Sequence, residues 1–445
     1  MPNDGDCPAR SEGKANRLVC PVNFHPETLL DSRDAKLAGG LLYLAHAIIM
    51  RGVRAPRAVK EGYVPLQGTI LKSILGHRVW PRVRRLALNI GLIECDDSYQ
   101  VGERCKGYRL KEPYRSAQWE WRPIRDGPLI ERFARRRGAG QRRAQKEIRD
   151  GHHPIPQVSV EHLRRHLQRI RIDAAIDEPL TQESELAAEL IRQGDWRLDV
   201  DEYGRVHTNI TNLKKTSRKY LSVDGRRLVN CDVANSQPLF LGILLLSGQD
   251  RHERQRGRGE RRAQEEREEE GGGGGGRGAC GSGTLCGAPK LCGARQTCSN
   301  ELREYLAICE QGQFYQRVAA HLDTALPYDV LKRRALAALY DRPWHRNRVH
   351  AAIQSAFPAL MEALAEIKRG DYRRAAHLAQ RTESDFIIGR CVGRLAAEYP
   401  ALFITTIHDS IMTTEGDEGI VRDTMLEEFA RMGVRPTVRV ETCCE

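Results

Sequence analysis

Two aspartates stand where a strand of apolar residues gives way to a polar turn. Asp232 interrupts RLVNCDVANSQPLFLGILL (Arg227–Leu245), and Asp409 interrupts LFITTIHDSIMTT (Leu402–Thr414). Carboxylates carried by adjacent strands can hold a pair of divalent cations about 3.5–4 Å apart, one activating an attacking hydroxyl and the other stabilising a leaving oxygen. An oxygen-only donor set of this size suits two Mg2+ ions, which take one or two carboxylates and complete their shells with phosphate and water; Mn2+ has the same preference. A single aspartate in a strand is more often a turn or edge residue. The argument therefore needs the pair, and the expectation is that Asp232 and Asp409 meet in space as metal ligands for nucleotidyl transfer.

The elements around them bear on that chemistry. Between the two lies LKRRALAALY (Leu331–Tyr340), of helical character, with Lys332 and Tyr340 two turns apart on one face. An ammonium there could meet a triphosphate and offset charge developing on a leaving group, and the ring could stack on a base. The plainer alternatives are a solvated run of three basic residues and a core tyrosine. His408 is read either as support for the turn before Asp409 or as a contact to a primer terminus.

The 445 residues carry a formal charge of +12, which favours a polyanionic partner such as nucleic acid. The strongly apolar run Leu37–Met50 is short for a membrane span and contains His46. No signal-peptide order of charged, apolar and small residues opens the chain. The expectation is a cytoplasmic protein without a membrane partner. Of the 13 cysteines, Cys280, Cys286, Cys292 and Cys298 recur every six residues, yet without the close pairs of a zinc ribbon.

Four regions are expected. Residues 1–34, rich in Pro and Gly, read as a flexible tail. Residues 35–112 hold helical patterns at Leu37–Met50, Pro65–Gly76 and Trp80–Ile90, then an alternating hairpin turning near 102–106. That order resembles a winged helix-turn-helix domain, whose third helix enters a groove of DNA. The resemblance makes Arg78, Arg82, Arg84, Arg85 and Lys106 candidate nucleic-acid contacts. Residues 113–195 read as a basic helical connector, with a capping box at Ser159. Residues 196–445 read as an α+β catalytic domain around a small antiparallel sheet, interrupted at 249–300 by a charge run, six glycines and the spaced cysteines, a composition expected to be disordered.

The catalytic region resembles the palm of family A DNA polymerases, relatives of the single-subunit RNA polymerases of phages and mitochondria. DVANSQPL (Asp232–Leu239) is similar to motif A, IHDS (Ile407–Ser410) to motif C, and GRVHTNIT, from Gly204, to the family's stretch upstream of motif A. The spacing of Lys332 and Tyr340 is that of the Lys and Tyr of motif B. Arg218 lies where the family has an Arg before the strand, and Gln380, with Glu383 beyond it, falls on the helix before motif C, where a functional Gln belongs. The likeness implies a polymerase-like fold with reduced fingers, Asp232, Asp409 and Lys332 as catalytic residues, and Arg218, Gln237, Tyr340, Gln380 and His408 at the substrate. Its implied partners are a DNA primer-template and nucleoside triphosphates.

Three departures stand out. Tyr328 replaces the Arg four residues before the motif B Lys. Ser410 follows Asp409 where the DNA polymerases have Glu. Gln237 replaces the Glu that crowds the ribose 2′-position, and its bulk points to deoxynucleotides. DNA synthesis for a phage-like or mobile element is the expected function. The alternatives are an RNA polymerase or primase using the same site, or a DNA-binding initiator or regulator that needs neither aspartate.

Overall fold

The structure, a computed structural model, describes residues 17–96, 105–136, 155–173, 181–247, 292–342 and 347–442. Its N-terminal part begins earlier than composition suggests. Strand β1 (Arg17–Pro21) is followed by the fully buried Phe24 and a helical turn at Pro26–Leu29, so residues 17–34 of the expected tail are ordered, while residues 1–16 lie outside the described residues. The reason lies in the partner: β1 needs a neighbour about 100 residues away, which local composition cannot reveal.

The apolar run becomes the helix Ala38–Arg54. By length and composition it could cross a bilayer, but Leu41, Leu44 and Ala45 are fully buried among the chain's own side chains. Strand β2 (Val64–Pro65) precedes the helix Gly68–Leu75, which stops at Gly76 with φ +101°. The helix Val79–Asn89 buries Trp80, Val83 and Ala87 on one face and leaves Arg78, Arg82 and Arg85 exposed on the other, as a 3.6-residue period requires. Strands β3 (Ile93–Asp96) and β4 (Gly107–Leu110) join β2 in an antiparallel sheet of order β2-β4-β3. The expected hairpin is thus present, and its tip falls mostly outside the described residues.

The connector is not simply helical. It opens with β5 (Trp119–Pro123), the partner of β1, and a helix over residues 127–136 follows. The helix Gln157–Leu167 starts at Pro156 with no side-chain cap, so the capping box expected at Ser159 does not form. Strand β6 (Ile170–Ile172) pairs with β9 (Leu221–Val223) and so belongs to the C-terminal sheet. The helix Gln182–Arg192 is capped by Thr181, whose side chain accepts from the Ser184 amide.

Strands β7 (Leu198–Val200) and β8 (Val206–Thr208) form a hairpin. Then β9 turns through Asp224 and Gly225, with φ +51° and +78°, into β10 (Arg226–Val233). Both central residues left-handed is the signature of a tight hairpin turn, and Asp-Gly is its usual sequence. β10 is the spine of the molecule: β12 (Ser410–Thr414) pairs along one edge and β13 (Val438–Thr442) along the other, with β11 (Thr405–Ile407) beyond β12. Helices surround this sheet: Ser236–Ser247, Cys292–Glu310, Phe314–Ala319, Tyr328–Tyr340, Arg348–Ala356, Pro358–Ile367, Arg374–Glu398 and Glu418–Arg431. The first part of Cys292–Glu310 lies inside the segment expected to be disordered; the rest of that segment, with Cys280 and Cys286, lies outside the described residues. The penultimate helix is α-helical to Ser384, π-helical over Asp385–Val392, and α-helical again from Gly393. The fold is α+β, as expected.

Candidate active site

Period-2 alternation decides which side chains of the spine share a face. Asp232 stands opposite Ser410 on one side and Arg439 on the other, and Asn230 stands opposite Met412 and Glu441. Directly opposed residues project from the same face, so Asp232, Arg439 and Glu441 form one polar surface. Val229, Cys231 and Val233 face the other way, where the Cys231 thiol approaches the carbonyl of Glu418 at the start of the Glu418–Arg431 helix.

Asp409 reaches this surface through a two-residue hairpin loop. Ile407 and Ser410 are paired, leaving His408 and Asp409 as the turn, with His408 left-handed at φ +55°. Histidine tolerates that conformation better than most residues. The Ser410 hydroxyl donates to the Ile407 carbonyl at 3.0 Å and closes the loop. Register and turn place the two aspartates at the same end of the sheet.

Their proximity is legible in the electrostatics. Burial, and then the charges of Asp409 and Glu441, push the Asp232 carboxyl up to about 7, while Lys332 and Arg439 pull it down. Two carboxylates competing for one half-buried space are what a divalent cation relieves. Among the described residues no group of three His, Cys, Asp or Glu side chains could hold a metal by itself. Asp232 and Asp409 offer oxygen atoms only, a donor chemistry that fits Mg2+.

Lys332 is exposed on the Tyr328–Tyr340 helix, close enough for its charge to act on Asp232. Tyr340 is partly buried; its hydroxyl donates to the Gln237 carbonyl at 3.3 Å, and burial, then the charge of Glu383, holds its phenol well above the ordinary range. Gln237, at the start of the Ser236–Ser247 helix, donates its Nε2 to Glu383. Gln380 is partly buried one turn before Glu383 on the same helix. His408 packs edge-on to His207 with ring centroids 6.2 Å apart, and His207 in turn meets Asp201 at 2.9 Å. Arg218 sits on the 3-10 turn Lys215–Tyr220 and donates its Nε to the Leu213 carbonyl at 3.2 Å.

Sequence reasoning gave no role to an ion pair beneath this surface. Glu383 is 0% exposed, and its Oε1 takes a fork from Arg205, Nε at 3.0 Å and Nη2 at 2.8 Å. Burial pushes the Glu383 carboxyl up to about 7 against the opposing pull of Arg205. The neighbouring Gly204 makes the contact possible. It is left-handed, φ +88°, and a Cβ there would sit 2.9 Å from the Ile155 side chain and 3.1 Å from that of Ser384. Arg205 lies in GRVHTNIT and so was within reach of the sequence; the burial of Glu383 was not.

The five N-terminal candidates separate. Arg78 and Arg85 are exposed. Arg82 is also exposed and meets Asp34 at 3.1 Å. Arg84 turns inward, its Nε donating to the Tyr108 hydroxyl at 3.2 Å and its Nη2 lying 3.6 Å from the Cys95 sulfur. Lys106 is partly buried, and its carbonyl accepts from the Leu66 amide.

No known family and no curated protein matches the chain. Among solved structures it is similar to the POL domain of Pol1 from M. smegmatis in complex with DNA primer-template and dNTP. That likeness covers 94% of this chain and 74% of the other, at 13% identity and a TM-score of 0.32. The functional reading rests on the site itself.

Proposed function

We propose that this chain is a template-directed nucleotidyltransferase that extends a primer with nucleoside triphosphates, deoxynucleotides in preference. The observation that carries this reading is the convergence of Asp232 and Asp409 at one end of the central sheet, within the field of Lys332. Asp232 and Asp409 hold Mg2+, which supplies activation of the attacking hydroxyl and charge relief at the leaving pyrophosphate when bound. Lys332 faces the same space and offsets phosphate charge. Tyr340 and Gln237, joined by their hydrogen bond, form one wall. His408, beside Asp409, is available to a primer end, and Gln380 and Arg218 lie on flanking elements that can orient substrate or template.

The N-terminal helices and β2-β4-β3 sheet have the element order of a winged helix, and in this reading residues 35–112 are a nucleic-acid-binding domain. Arg78, Arg82 and Arg85, on one exposed stripe, contact phosphates. The Arg82–Asp34 pair is exposed, and such pairs are worth little, about 0–1 kcal/mol, so it yields readily to a phosphate. Arg84 supports the fold of this region rather than touching the ligand.

Primer extension on a primed DNA template with Mg2+, comparing dNTPs, rNTPs and no nucleotide, tests the reading. The expected result is extension that needs both metal and nucleotide and is faster with dNTPs. Extension with neither sugar, alongside intact DNA binding, would assign the chain to the initiator or regulator class instead.

A further inference from the structure

Glu383, within the field of Asp409, receives side chains from two other segments. Its Oε1 is forked by Arg205, the residue just before β8, and its other oxygen, Oε2, accepts from Nε2 of Gln237. A buried carboxylate persists only when its oxygens are engaged in this way. Gln237 is thereby held at two points, through its amide by Glu383 and through its backbone carbonyl by Tyr340 at 3.3 Å. A carboxamide carries its oxygen and its nitrogen on opposite sides. With Nε2 held by Glu383, Oε1 is turned away from it.

An unrestrained glutamine has three rotatable bonds and can swing away from an incoming hydroxyl. A clamped one cannot. We propose that Glu383 is a positioning residue that locks Gln237, and that this lock, more than the bulk of Gln237, sets how strongly the site rejects a ribose 2′-hydroxyl. The inference rests on the reading above, that the Asp232–Asp409 site takes nucleoside triphosphates. In it Glu383 touches no substrate, and Arg205 holds Glu383 in place.

The test uses the full chain and single-nucleotide primer extension, with kcat and KM measured separately for a dNTP and the matching rNTP. Equilibrium binding of both triphosphates and the melting temperature are recorded alongside. Gln237→Met keeps the length of the side chain and leaves the Arg205–Glu383 pair intact, but it cannot be clamped. Glu383→Gln removes the charge that holds the clamp, and adding Gln237→Glu returns a carboxylate to the cluster.

Both single variants should lose about ten-fold in dNTP-over-rNTP discrimination, the worth of one charge-assisted hydrogen bond. The change should come through a lower KM for the rNTP relative to the dNTP. The exchanged pair should recover most of the discrimination. Unchanged discrimination in a folded Gln237→Met protein overturns the inference, as does a wild type that takes both sugars equally. An equal loss with both sugars that the exchange does not repair reduces Glu383 to a structural role and also overturns it. If wild type binds no triphosphate, the underlying reading falls as well; if it binds and extends while the variants keep its sugar preference, only the clamp falls.

Discussion

Asp232 is the residue on which the account turns, and its environment makes a prediction about pH. Its carboxyl is raised from an ordinary 3.8 to about 7, chiefly by burial and then by Asp409. A group whose folded pKa is raised binds its proton more tightly in the folded state. Its contribution is therefore fully present below about pH 4 and is lost as pH climbs through about 7. Without metal, Asp232→Asn should raise stability at pH 8 by on the order of 2 kcal/mol and change little at pH 4, as read from denaturant midpoints. Saturating Mg2+ should stabilise wild type at pH 8 and leave the variant nearly unmoved. A variant less stable than wild type at pH 8 would contradict the picture of crowded carboxylates. At this scale the aspartates were legible, because each breaks an apolar strand pattern in a way packing alone does not explain. Glu383 was visible only as a neighbour of Gln380, since nothing local says that a glutamate will be sealed behind a distant arginine.

At the scale of elements, the site depends on how closely the β7–β8 hairpin approaches the helix that carries Glu383. Gly204 sets that approach, with a left-handed backbone and no room for a Cβ against Ile155 and Ser384. Gly204→Ala should cost about 1–3 kcal/mol through strain and displacement. It should also loosen the Arg205–Glu383 pair, so that sugar discrimination falls together with stability. A neutral substitution in chemical denaturation would show that the hairpin can move away freely. The stretch GRVHTNIT, which supplies Gly204 and the second strand of the hairpin, stood out in the sequence. The π-helical segment Asp385–Val392 did not, because an i→i+5 register leaves no composition signal. The helix expected to carry Gln380 is present, but its residues did not announce the change of winding just after Glu383. The turn at His408–Asp409 was legible for a simpler reason, two β-rich runs separated by two polar residues.

Across the whole molecule, the reading joins a basic N-terminal unit to a catalytic sheet. Replacing Arg78 and Arg85 with glutamine should weaken DNA binding about uniformly over sequences and flatten its salt dependence by roughly one to two units of slope. Extension from a saturating primer-template should be spared. Unaltered salt dependence would mean that the exposed stripe on Val79–Asn89 is only a solvated face. The order of helices and strands in this unit was legible from periodicity, but its limits were not. Arg17–Pro21 belongs to the fold because β1 pairs with β5, and β6 joins the C-terminal sheet from within what reads as a linker. Both are long-range pairings, and the alternation of a three- to five-residue strand is too short to announce them.

The central claim is that Asp232 and Asp409 act as one metal-holding pair in nucleotide addition. Its most direct test is single-turnover primer extension with Mg2+ for wild type, Asp232→Ala, Asp409→Ala and the double variant, each confirmed to be folded and to bind primer-template. Each single change should abolish extension by about 10³-fold or more, and the double should be no worse than either alone, as residues acting as a unit behave. Extension at the wild-type rate by either single variant would contradict the account.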